Sequence, residues 1–231
     1  MAYLVEIEGK CDGNGKATQV KEVSRLLRER GYKVANLTSP NYNLDSGKIL
    51  KKFLHGDFVD PVTFNPLASS LLYTLNRFED FNTNWKNLYE QDDLVIILDR
   101  WTTSNLIYQT AKEGDLVKKV LLLQEIEEIE FKEFNLPKPN LTIVLDKGLD
   151  ECIKSLQQRD DLDAHESSRE FLERVYQNAG WVAEYKKFFV FDMKDESNQV
   201  RSIEKNAEIL ASKISLHLAV EGIKPSVRCW I

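Results

Sequence analysis

The sequence predicts an α/β fold, a doubly wound sheet of five parallel strands flanked by helices. Short apolar runs alternate with longer amphipathic stretches along the whole chain, as in proteins built from strand–helix–strand units. Two of the runs, Leu94–Leu98 and Leu141–Leu145, are apolar on both faces, which is typical of parallel strands covered by helices on both sides. With 10 glycines and 6 prolines in 231 residues, no glycine- or proline-rich linker divides the chain into two domains.

Each predicted strand is a short run rich in β-branched or aromatic residues. In chain order the runs are Tyr3–Ile7, Lys33–Leu37, Leu94–Leu98, Leu141–Leu145 and Phe188–Phe191. Ligands in sheets of this class bind beyond the carboxyl ends of the strands. The residues after Ile7, Leu37 and Leu98 are therefore the first candidates for a functional site.

The stretches between the strands have the spacing of amphipathic helices. Val20, Val23, Leu26 and Leu27 share one face of the first helix, which we expect to end at Gly31. A later helix begins at Asn65-Pro66, where an N-cap residue precedes a proline in the first turn. The longer helical stretches are Asn65–Tyr89, Leu116–Phe134, Leu149–Gln158, Ser167–Lys187 and Ile203–Leu218.

Charge and composition exclude several classes of protein. The 31 basic and 37 acidic residues leave a net charge of −6, whereas a nonspecific nucleic-acid-binding protein usually has a basic excess. No apolar run approaches the roughly 20 residues of a membrane helix, and the first residues lack the pattern of a signal peptide. The three cysteines, Cys11, Cys152 and Cys229, are scattered, which favours a reducing compartment over a disulfide framework or a zinc site. We expect a cytoplasmic protein that binds neither nucleic acid nor a membrane.

A glycine-rich segment, Glu8–Gln19, joins the first strand to the first helix. Its glycines let successive N–H groups turn inward, the helix N-terminus adds partial positive charge, and Lys16 reaches the outer phosphates of a nucleotide. The alternative is a connecting loop that contains glycines without binding phosphate. Compared with the pattern G-x-x-x-x-G-K-[ST], the segment has one extra residue, so Lys10 or Cys11 must bulge out, and Ala17 replaces the hydroxyl that binds Mg²⁺.

Asp99-Arg100-Trp101 follows the third strand. Beside a phosphate loop, an aspartate at the end of a buried strand is well placed to hold Mg²⁺, directly or through water. Arg100 can clamp a phosphate with two parallel hydrogen bonds. The alternative is a salt bridge at the strand end that has no ligand.

Together these segments resemble the thymidylate kinase family. The similarity rests on Glu-Gly-x-Asp-Gly-x-Gly-Lys in the loop, Asn-Arg-aromatic-Glu in a helix, Asp-Arg-aromatic after a strand, and Leu-Pro-Lys-Pro before another strand. The matching segments are Glu8–Gln19, Tyr73–Glu79, Asp99–Gln109, Leu136–Asp146 and, more loosely, Arg159–Glu166. The resemblance implies a P-loop nucleoside monophosphate kinase domain over residues 1–216, with a short lid at about 159–166 and a tail, 217–231, of unknown role.

The resemblance also implies a role for each matching residue. Tyr73 stacks on the thymine ring and Arg77, one helical turn later, hydrogen-bonds a base carbonyl; on spacing alone, Tyr73 is interpreted as a core aromatic. Asp12 approaches the 3′-hydroxyl of the sugar, and Arg100 holds the acceptor phosphate near the donor. The residues implied for dTMP are Asp12, Tyr42, Tyr73, Arg77, Arg100, Ser104, Tyr108 and Gln109, and those for ATP are Gly13, Asn14, Gly15, Lys16, Ala17, Thr18 and Arg159. The catalytic set is Lys16, Asp99, Arg100 and Arg159, with Asp99 holding the metal through water.

Arg159 opens the segment that corresponds to the family's lid, where its charge would stabilise the transferring phosphoryl group. The alternative for Arg159 is a solvated cation at a helix end. His165 fits the start of a helix better than a general base, and phosphoryl transfer to a phosphate needs no strong base. Tyr42 stands where many members of the family have an arginine for the acceptor phosphate, so it offers a hydrogen bond without a charge.

The activity implied is transfer of the γ-phosphoryl group of ATP to dTMP, giving dTDP and ADP, with Mg²⁺ as cofactor. Two alternatives stay open: a kinase of the same fold with another nucleotide or deoxynucleoside as acceptor, and a catalytically impaired nucleotide-binding protein. Four features favour the second: the extra loop residue, Ala17, Tyr42 and the sparsely basic lid. Thymidylate kinases are usually homodimers, so a dimer is also implied, through a long helix such as Asn65–Tyr89 or Leu116–Phe134.

Overall fold

A sheet of five parallel strands forms the centre of the computed structural model, which describes residues 1–225. The strands are β1 (Tyr3–Gly9), β2 (Lys33–Thr38), β3 (Leu94–Asp99), β4 (Leu141–Asp146) and β5 (Phe189–Asp192), in the spatial order β2-β3-β1-β4-β5. Every neighbouring pair runs parallel. The predicted five-stranded α/β fold is confirmed.

Helices connect the strands and cover both faces of the sheet. They are α1 (Lys16–Glu29), α2 (Asp45–Leu54), α3 (Pro66–Asp80), α4 (Lys86–Tyr89), α5 (Thr102–Thr110), α6 (Leu116–Glu128), α7 (Leu149–Leu156), α8 (Ala164–Ser167), α9 (Arg169–Lys186) and α10 (Ile203–Val220). A π-helical turn, Phe81–Trp85, joins α3 to α4, and another, Ile129–Glu133, extends α6. None of the helices described between residues 1 and 225 has the length and hydropathy needed to cross a bilayer.

The long helices occur where they are predicted, with small differences at their ends. The predicted helix Asn65–Tyr89 is the continuous run of α3, the π-helical turn and α4, and the Asn65 side chain caps it by accepting from the N–H of Ala68. The short helices α2 and α5 are not predicted. α2 contains Gly47, and α5 begins Thr-Thr-Ser-Asn, and these residues have low helix propensity.

The last helix of the described residues, α10, packs against the core. This helix continues to Val220, and Leu218 within it is fully buried, so the predicted tail, 217–231, starts inside a packed helix. Residues 226–231, the last part of that tail, lie outside the described residues.

The central strand β1 has different chemistry on its two faces. Val5 and Ile7 belong to an apolar core that also contains side chains of α1 and α10. Because side chains alternate along a strand, Leu4, Glu6 and Glu8 share the opposite face. Leu4 packs in a second apolar cluster, but Glu6 and Glu8 are carboxyl groups, and both are fully buried.

Glu6 holds the first turn of α5 against the sheet. Its carboxylate accepts hydrogen bonds from the backbone N–H and the hydroxyl of Thr103, at 3.0 and 2.6 Å. Burial raises the pKa of Glu6 to about 8, because the protein interior solvates the ionised form poorly. α5 carries Ser104, Tyr108 and Gln109, so this contact helps to place three residues of the predicted site.

The variant Glu6→Gln is expected to change how stability depends on pH. An unperturbed glutamate has a pKa of about 4.3, so the native protein binds the Glu6 proton more tightly than the unfolded chain does. Stability is therefore lost as the pH rises between the two pKa values. Glutamine still accepts a hydrogen bond from Thr103 and does not ionise. We expect the free energy of unfolding of the wild type, measured with urea, to fall relative to that of the variant between about pH 5 and pH 8.

Both proteins share every other titrating group, so the difference between them isolates Glu6. A difference in the free energy of unfolding that is the same at every pH would contradict this assignment.

Candidate active site

One cavity of about 430 Å³ lies at the carboxyl ends of β1, β2 and β3, where this class of sheet binds its ligands. Every residue predicted for the site lines it, from residues 12–18 in the loop to Arg159. The parallel register brings the strand ends together, because Ile7 in β1 lies opposite Asp99 in β3. The volume is within the range of small-molecule binding sites.

The extra residue of the loop does not bulge into solvent, so that expectation is wrong. The N–H of Lys10 donates to the carbonyl of Leu145 at 3.0 Å, which continues the β1–β4 pairing, and the ammonium group of Lys10 pairs with Asp146. Cys11 turns inward and is buried beside Cys152. The additional length is packed between the sheet and α7 and leaves the cavity side of the loop free.

The loop itself is closed by a side chain. Asn14 donates to the carbonyl of Cys11 at 2.6 Å and accepts from the N–H of Lys16 at 2.9 Å. A Cβ on Gly9 would lie 1.2 Å from Nδ2 of Asn14, and Gly13 has a φ of +81°, which favours glycine. Since the Asn14 side chain is buried within the loop, its contact with a phosphate would come from the backbone.

Glu8 is the centre of a buried charge cluster. Its Oε1 lies 3.4 Å from Nζ of Lys16 and 3.5 Å from Nη1 of Arg100, and its carboxylate accepts hydrogen bonds from the Gly9 N–H and the Ser104 hydroxyl. Burial raises the pKa of Glu8, but the two cations and the hydrogen bonds outweigh it and hold the pKa below its ordinary value. An ionised Glu8 therefore keeps Lys16 and Arg100 beside each other.

Arg100 has an uncommon backbone conformation. Its φ of 64° lies in the left-handed region, which costs on the order of 1–3 kcal/mol for a non-glycine residue and is frequent at functional sites. Its guanidinium pairs with Asp12, which also accepts a hydrogen bond from the Tyr108 hydroxyl at 2.6 Å. Burial raises the pKa of Asp12, but Arg100 and Lys16 outweigh it and hold the pKa below its ordinary value. Asp12 is thus an anion in contact with both Arg100 and α5.

Asp99 is the residue best placed to hold Mg²⁺. Its side chain lines the cavity, is 7% exposed and has no hydrogen-bond partner in the described range 1–225. Burial raises the pKa of Asp99, while Lys16 and Arg100 oppose this shift. Ala17 supplies no hydroxyl, and residues 1–225 contain no cluster of three carboxylate, histidine or cysteine ligands. The residues present fit a Mg²⁺ ion that Asp99 shares with water and phosphate oxygens, its usual environment in kinases.

At the other end of the cavity, α3 contributes Tyr73 and Arg77. The Tyr73 ring packs edge-on against Phe53 and also lines the cavity, so it is a core aromatic that a ligand can reach. Arg77 is 2% exposed, and its Nε and Nη2 have no hydrogen-bond partner in the described part of the chain. Its Nη2 lies 3.4 Å from Oε1 of Glu130. Since buried N–H groups are normally paired, and Arg77 lines the cavity, this guanidinium is a candidate to bind a ligand there.

Two residues at this end of the cavity are not predicted from the sequence. Asn105 in α5 lines the cavity, and Glu130 lies behind it. Because α5 is not predicted, the sequence gives no reason to choose Asn105 as a site residue over its neighbours in the motif. Glu130 belongs to a segment rich in glutamate, 125–133, which is typical of a solvent-exposed helix face, whereas Glu130 is fully buried.

α3 also shapes the loop that carries Tyr42. The Asn76 side chain accepts from the N–H of Asn41 and donates to its carbonyl, at 2.9 Å each. Glu79 accepts from the N–H of Ser46 at 3.2 Å. The Asn76–Glu79 part of the motif therefore holds this loop against the helix, with Tyr42 at the cavity wall.

Two charged groups of the predicted lid, Arg159 and Glu166, pair with each other. Arg159 is half exposed, and its guanidinium donates to Glu166 at 2.7 Å. Asp163 caps α8 by accepting from the N–H of Glu166 at 2.9 Å. His165 is buried at the start of this helix, with Nε2 3.2 Å from the carbonyl of Pro61. Its position at a helix start is as predicted, while Arg159 lines the cavity from a partly solvated position.

Comparison with known proteins identifies the family. A sequence profile described as thymidylate kinase matches residues 7–203. A probable thymidylate kinase of Sulfurisphaera tokodaii is 28% identical over 216 residues, which are 93% of this chain and 98% of that protein. The thymidylate kinase of Mycobacterium tuberculosis is 34% identical over 145 residues, 62% of this chain and 64% of that protein. The profile spans the phosphate loop, the helix with Arg77, the strand end with Asp99 and the lid, so this chain belongs to the thymidylate kinase family.

Proposed function

We propose that this chain transfers the γ-phosphoryl group of ATP to the 5′-phosphate of dTMP, giving dTDP and ADP. The observation that carries the proposal is a single cavity that joins a phosphate loop containing Lys16 to a pocket lined by Tyr73 and Arg77. Arg100 lines the same cavity and contacts the loop through Asp12. The relatives named thymidylate kinase support dTMP as the acceptor.

The donor is bound where α1 begins. The N–H groups of residues 13–18 and the positive end of the helix dipole attract the phosphates of ATP, and Lys16 neutralises part of their charge. Mg²⁺, held at Asp99 with water, would supply further neutralisation of the phosphate oxygens when it is bound. Glu8 keeps the Lys16 ammonium group in place by an ion pair at 3.4 Å.

The acceptor is bound on the Arg100 side. Arg100 contacts the acceptor phosphate while retaining its ion pair with Glu8, and Tyr42 donates one hydrogen bond. Asp12, relieved of part of its contact with Arg100, accepts from the 3′-hydroxyl of the sugar. Catalysis consists of positioning and charge neutralisation, because phosphoryl transfer to a phosphate requires no strong base.

Arg159 changes partner during the reaction. It donates to Glu166 at 2.7 Å, and it lines the cavity that holds the phosphates. When ATP binds, the phosphate charge competes with Glu166 for the guanidinium, and Arg159 then stabilises the transferring group. Closing the lid also excludes water, which would otherwise hydrolyse ATP.

We also propose a cytoplasmic location. The three cysteines are scattered along the chain without Cys-x-x-Cys spacing, which favours a reducing compartment.

Release of ADP from ATP and Mg²⁺ tests the proposed reaction, with dTMP, dUMP, dCMP, dAMP, dGMP and thymidine compared as acceptors. We expect the fastest turnover with dTMP and a weaker second rate with dUMP. In the Lys16→Ala control we expect kcat to fall by about 10²-fold or more, because an oriented charge on the phosphates is lost.

Fast turnover with a different acceptor would preserve the role of the loop and contradict the roles of Tyr73 and Arg77. Absence of acceptor-dependent ADP from the wild type would favour the catalytically impaired alternative. A loss of less than about tenfold in Lys16→Ala would contradict the assignment of the loop.

We further propose that the chain forms a homodimer through α3 and α6, which are in contact. Leu71, Leu75 and Phe78 are exposed on one face of α3, at the spacing of a helical stripe. α6 exposes further apolar side chains, Leu116, Val117 and Leu121. Exposed apolar faces of this kind are typical of subunit interfaces.

Analytical ultracentrifugation of Leu75→Glu tests the proposed dimer. A charge in the centre of the α3 stripe should shift the protein from dimer to monomer at micromolar concentration. Leu216→Glu is the matched control, because Leu216 is also exposed but lies on α10. A monomeric wild type, or a Leu75→Glu variant that remains dimeric, would contradict this interface.

A further inference from the structure

The lengthened phosphate loop places Lys10 in a partly buried ion pair outside the cavity. Nζ of Lys10 lies 2.5 Å from Oδ2 of Asp146, at the end of β4, and the two side chains are 17% and 21% exposed. Among the described residues, those of the loop that line the cavity begin at Asp12, so Lys10 does not face the nucleotide site. The proposed reaction gives Lys10 no role.

Asp146 is oriented by two hydrogen-bond donors besides Lys10. Its Oδ1 accepts from the Tyr176 hydroxyl at 2.6 Å and from the N–H of Gly148 at 3.0 Å, which leaves Oδ2 for the ammonium group of Lys10. Burial raises the pKa of Asp146, but the contacts with Lys10 and Tyr176 outweigh it and hold the pKa below its ordinary value. Asp146 is therefore an ionised carboxylate in a fixed orientation.

Helix α9 forms the other side of the Lys10 site. The ammonium group lies 4.9 Å from the centre of the Tyr176 ring, a distance at which a cation is attracted to the face of an aromatic ring. Gly180 lies one helical turn later, and a Cβ there would be 3.9 Å from Nζ of Lys10. Glycine destabilises the middle of a helix relative to alanine, and here its lack of a side chain keeps the space beside the ammonium group open.

The next residue of β4's carboxyl end holds the loop at a second point. Nζ of Lys147 is 3.4 Å from the carbonyl oxygen of Gly13. A Cβ on Gly13 would lie 2.3 Å from the carbonyl oxygen of Cys152, so the loop backbone packs directly on α7. Because a peptide group is planar and trans, a Gly13 carbonyl that points to Lys147 turns the N–H of Asn14 away from Lys147. Asn14 lines the cavity.

The added length of the loop explains why such contacts are needed. A longer loop has more arrangements available when it is not held. Only those arrangements in which successive N–H groups turn inward bind phosphate. The affinity for a ligand falls in proportion to the fraction of molecules in the binding arrangement, so contacts that hold the inserted position increase the affinity for the donor.

We propose that Lys10 is a positioning residue for the phosphate donor: its ion pair with Asp146 fixes the lengthened loop to β4 and α9 and thereby holds the N–H groups of residues 13–18 in the arrangement that binds ATP. This inference rests on the proposed function only in placing ATP at the loop. Lys10 acts through the loop backbone and does not touch the phosphates.

The Kd values for dTMP and for an ATP analogue with nitrogen in place of the β,γ-bridging oxygen, measured by calorimetry with Mg²⁺, test this role in Lys10→Met. Methionine keeps a long unbranched side chain and removes the charge. We expect the Kd for the analogue to rise by about tenfold or more and the Kd for dTMP to stay at the wild-type value. A residue that only stabilised the fold would lower the melting temperature and leave both Kd values unchanged.

Asp146→Asn distinguishes positioning from a direct attraction between Lys10 and the phosphates. Its Oδ1 still accepts from Tyr176 and Gly148, so its NH₂ group faces Lys10 and the ion pair is lost. We expect a loss of analogue affinity similar to that in Lys10→Met, and no further loss in the double variant, because both substitutions remove the same contact. If Lys10 attracted the phosphates directly, removing the negative charge beside it would strengthen binding.

Lys186→Met is the matched control. Lys186 also lies on α9 and forms an ion pair of similar burial with Glu127, at 2.6 Å and with side chains 26% and 25% exposed. Neither residue lines the cavity in the part of the chain that the structure describes. We expect the wild-type Kd for the ATP analogue in this variant. Far-ultraviolet circular dichroism reports whether each variant is folded, and Asp146→Asn carries the test if Lys10→Met does not fold.

Three results would overturn the inference: a wild-type Kd for the analogue in folded Lys10→Met or Asp146→Asn, tighter binding in Asp146→Asn, or an equal loss in Lys186→Met. A wild type that binds the analogue, and variants that bind it more weakly as expected, would support the inference even if no ADP is released with dTMP. That combination would contradict the proposed function alone.

Discussion

The site depends on one buried carboxylate, Glu8, at the end of the central strand. An ionised group in the interior costs several kcal/mol unless it is paired, and Glu8 is fully buried. Its pairing with Lys16 and Arg100 therefore does more than stabilise the strand end. It brings Lys16, which we propose binds the donor, and Arg100, which we propose binds the acceptor, to one carboxylate, as transfer between two phosphates requires.

The strands and long helices follow from the sequence because each carries its own periodic signal. Leu94–Leu98 is apolar throughout, and such a run is typical of a parallel strand covered by helices on both faces. The short helices α2 and α5 have no comparable signal, since tertiary contacts hold them in place. The first turn of α5 is held by Glu6 through Thr103, a contact between residues 97 positions apart that no local pattern reveals. The extra loop residue is likewise accommodated by a distant element, α7, through Cys152.

The site residues that the sequence predicts are those in motifs whose chemistry requires particular residue types, such as Lys16 in the loop and Arg100 after the third strand. All of them line one cavity. The residues behind that cavity could not be predicted in this way. A glutamate in a polar helix is normally solvated, and only the packing of α3, α5 and the π-helical turn makes Glu130 a buried partner of Arg77. Supporting residues of this kind become visible only in three dimensions.

The turnover number of a Glu8→Gln variant tests the account most directly. Glutamine keeps the size of the side chain and an acceptor for the Gly9 N–H, but it removes the charge that holds Lys16 beside Arg100. We expect kcat with ATP and dTMP to fall by at least about tenfold, with far-ultraviolet circular dichroism unchanged. A folded Glu8→Gln enzyme that turns over as fast as the wild type would contradict the claim that this carboxylate organises the site.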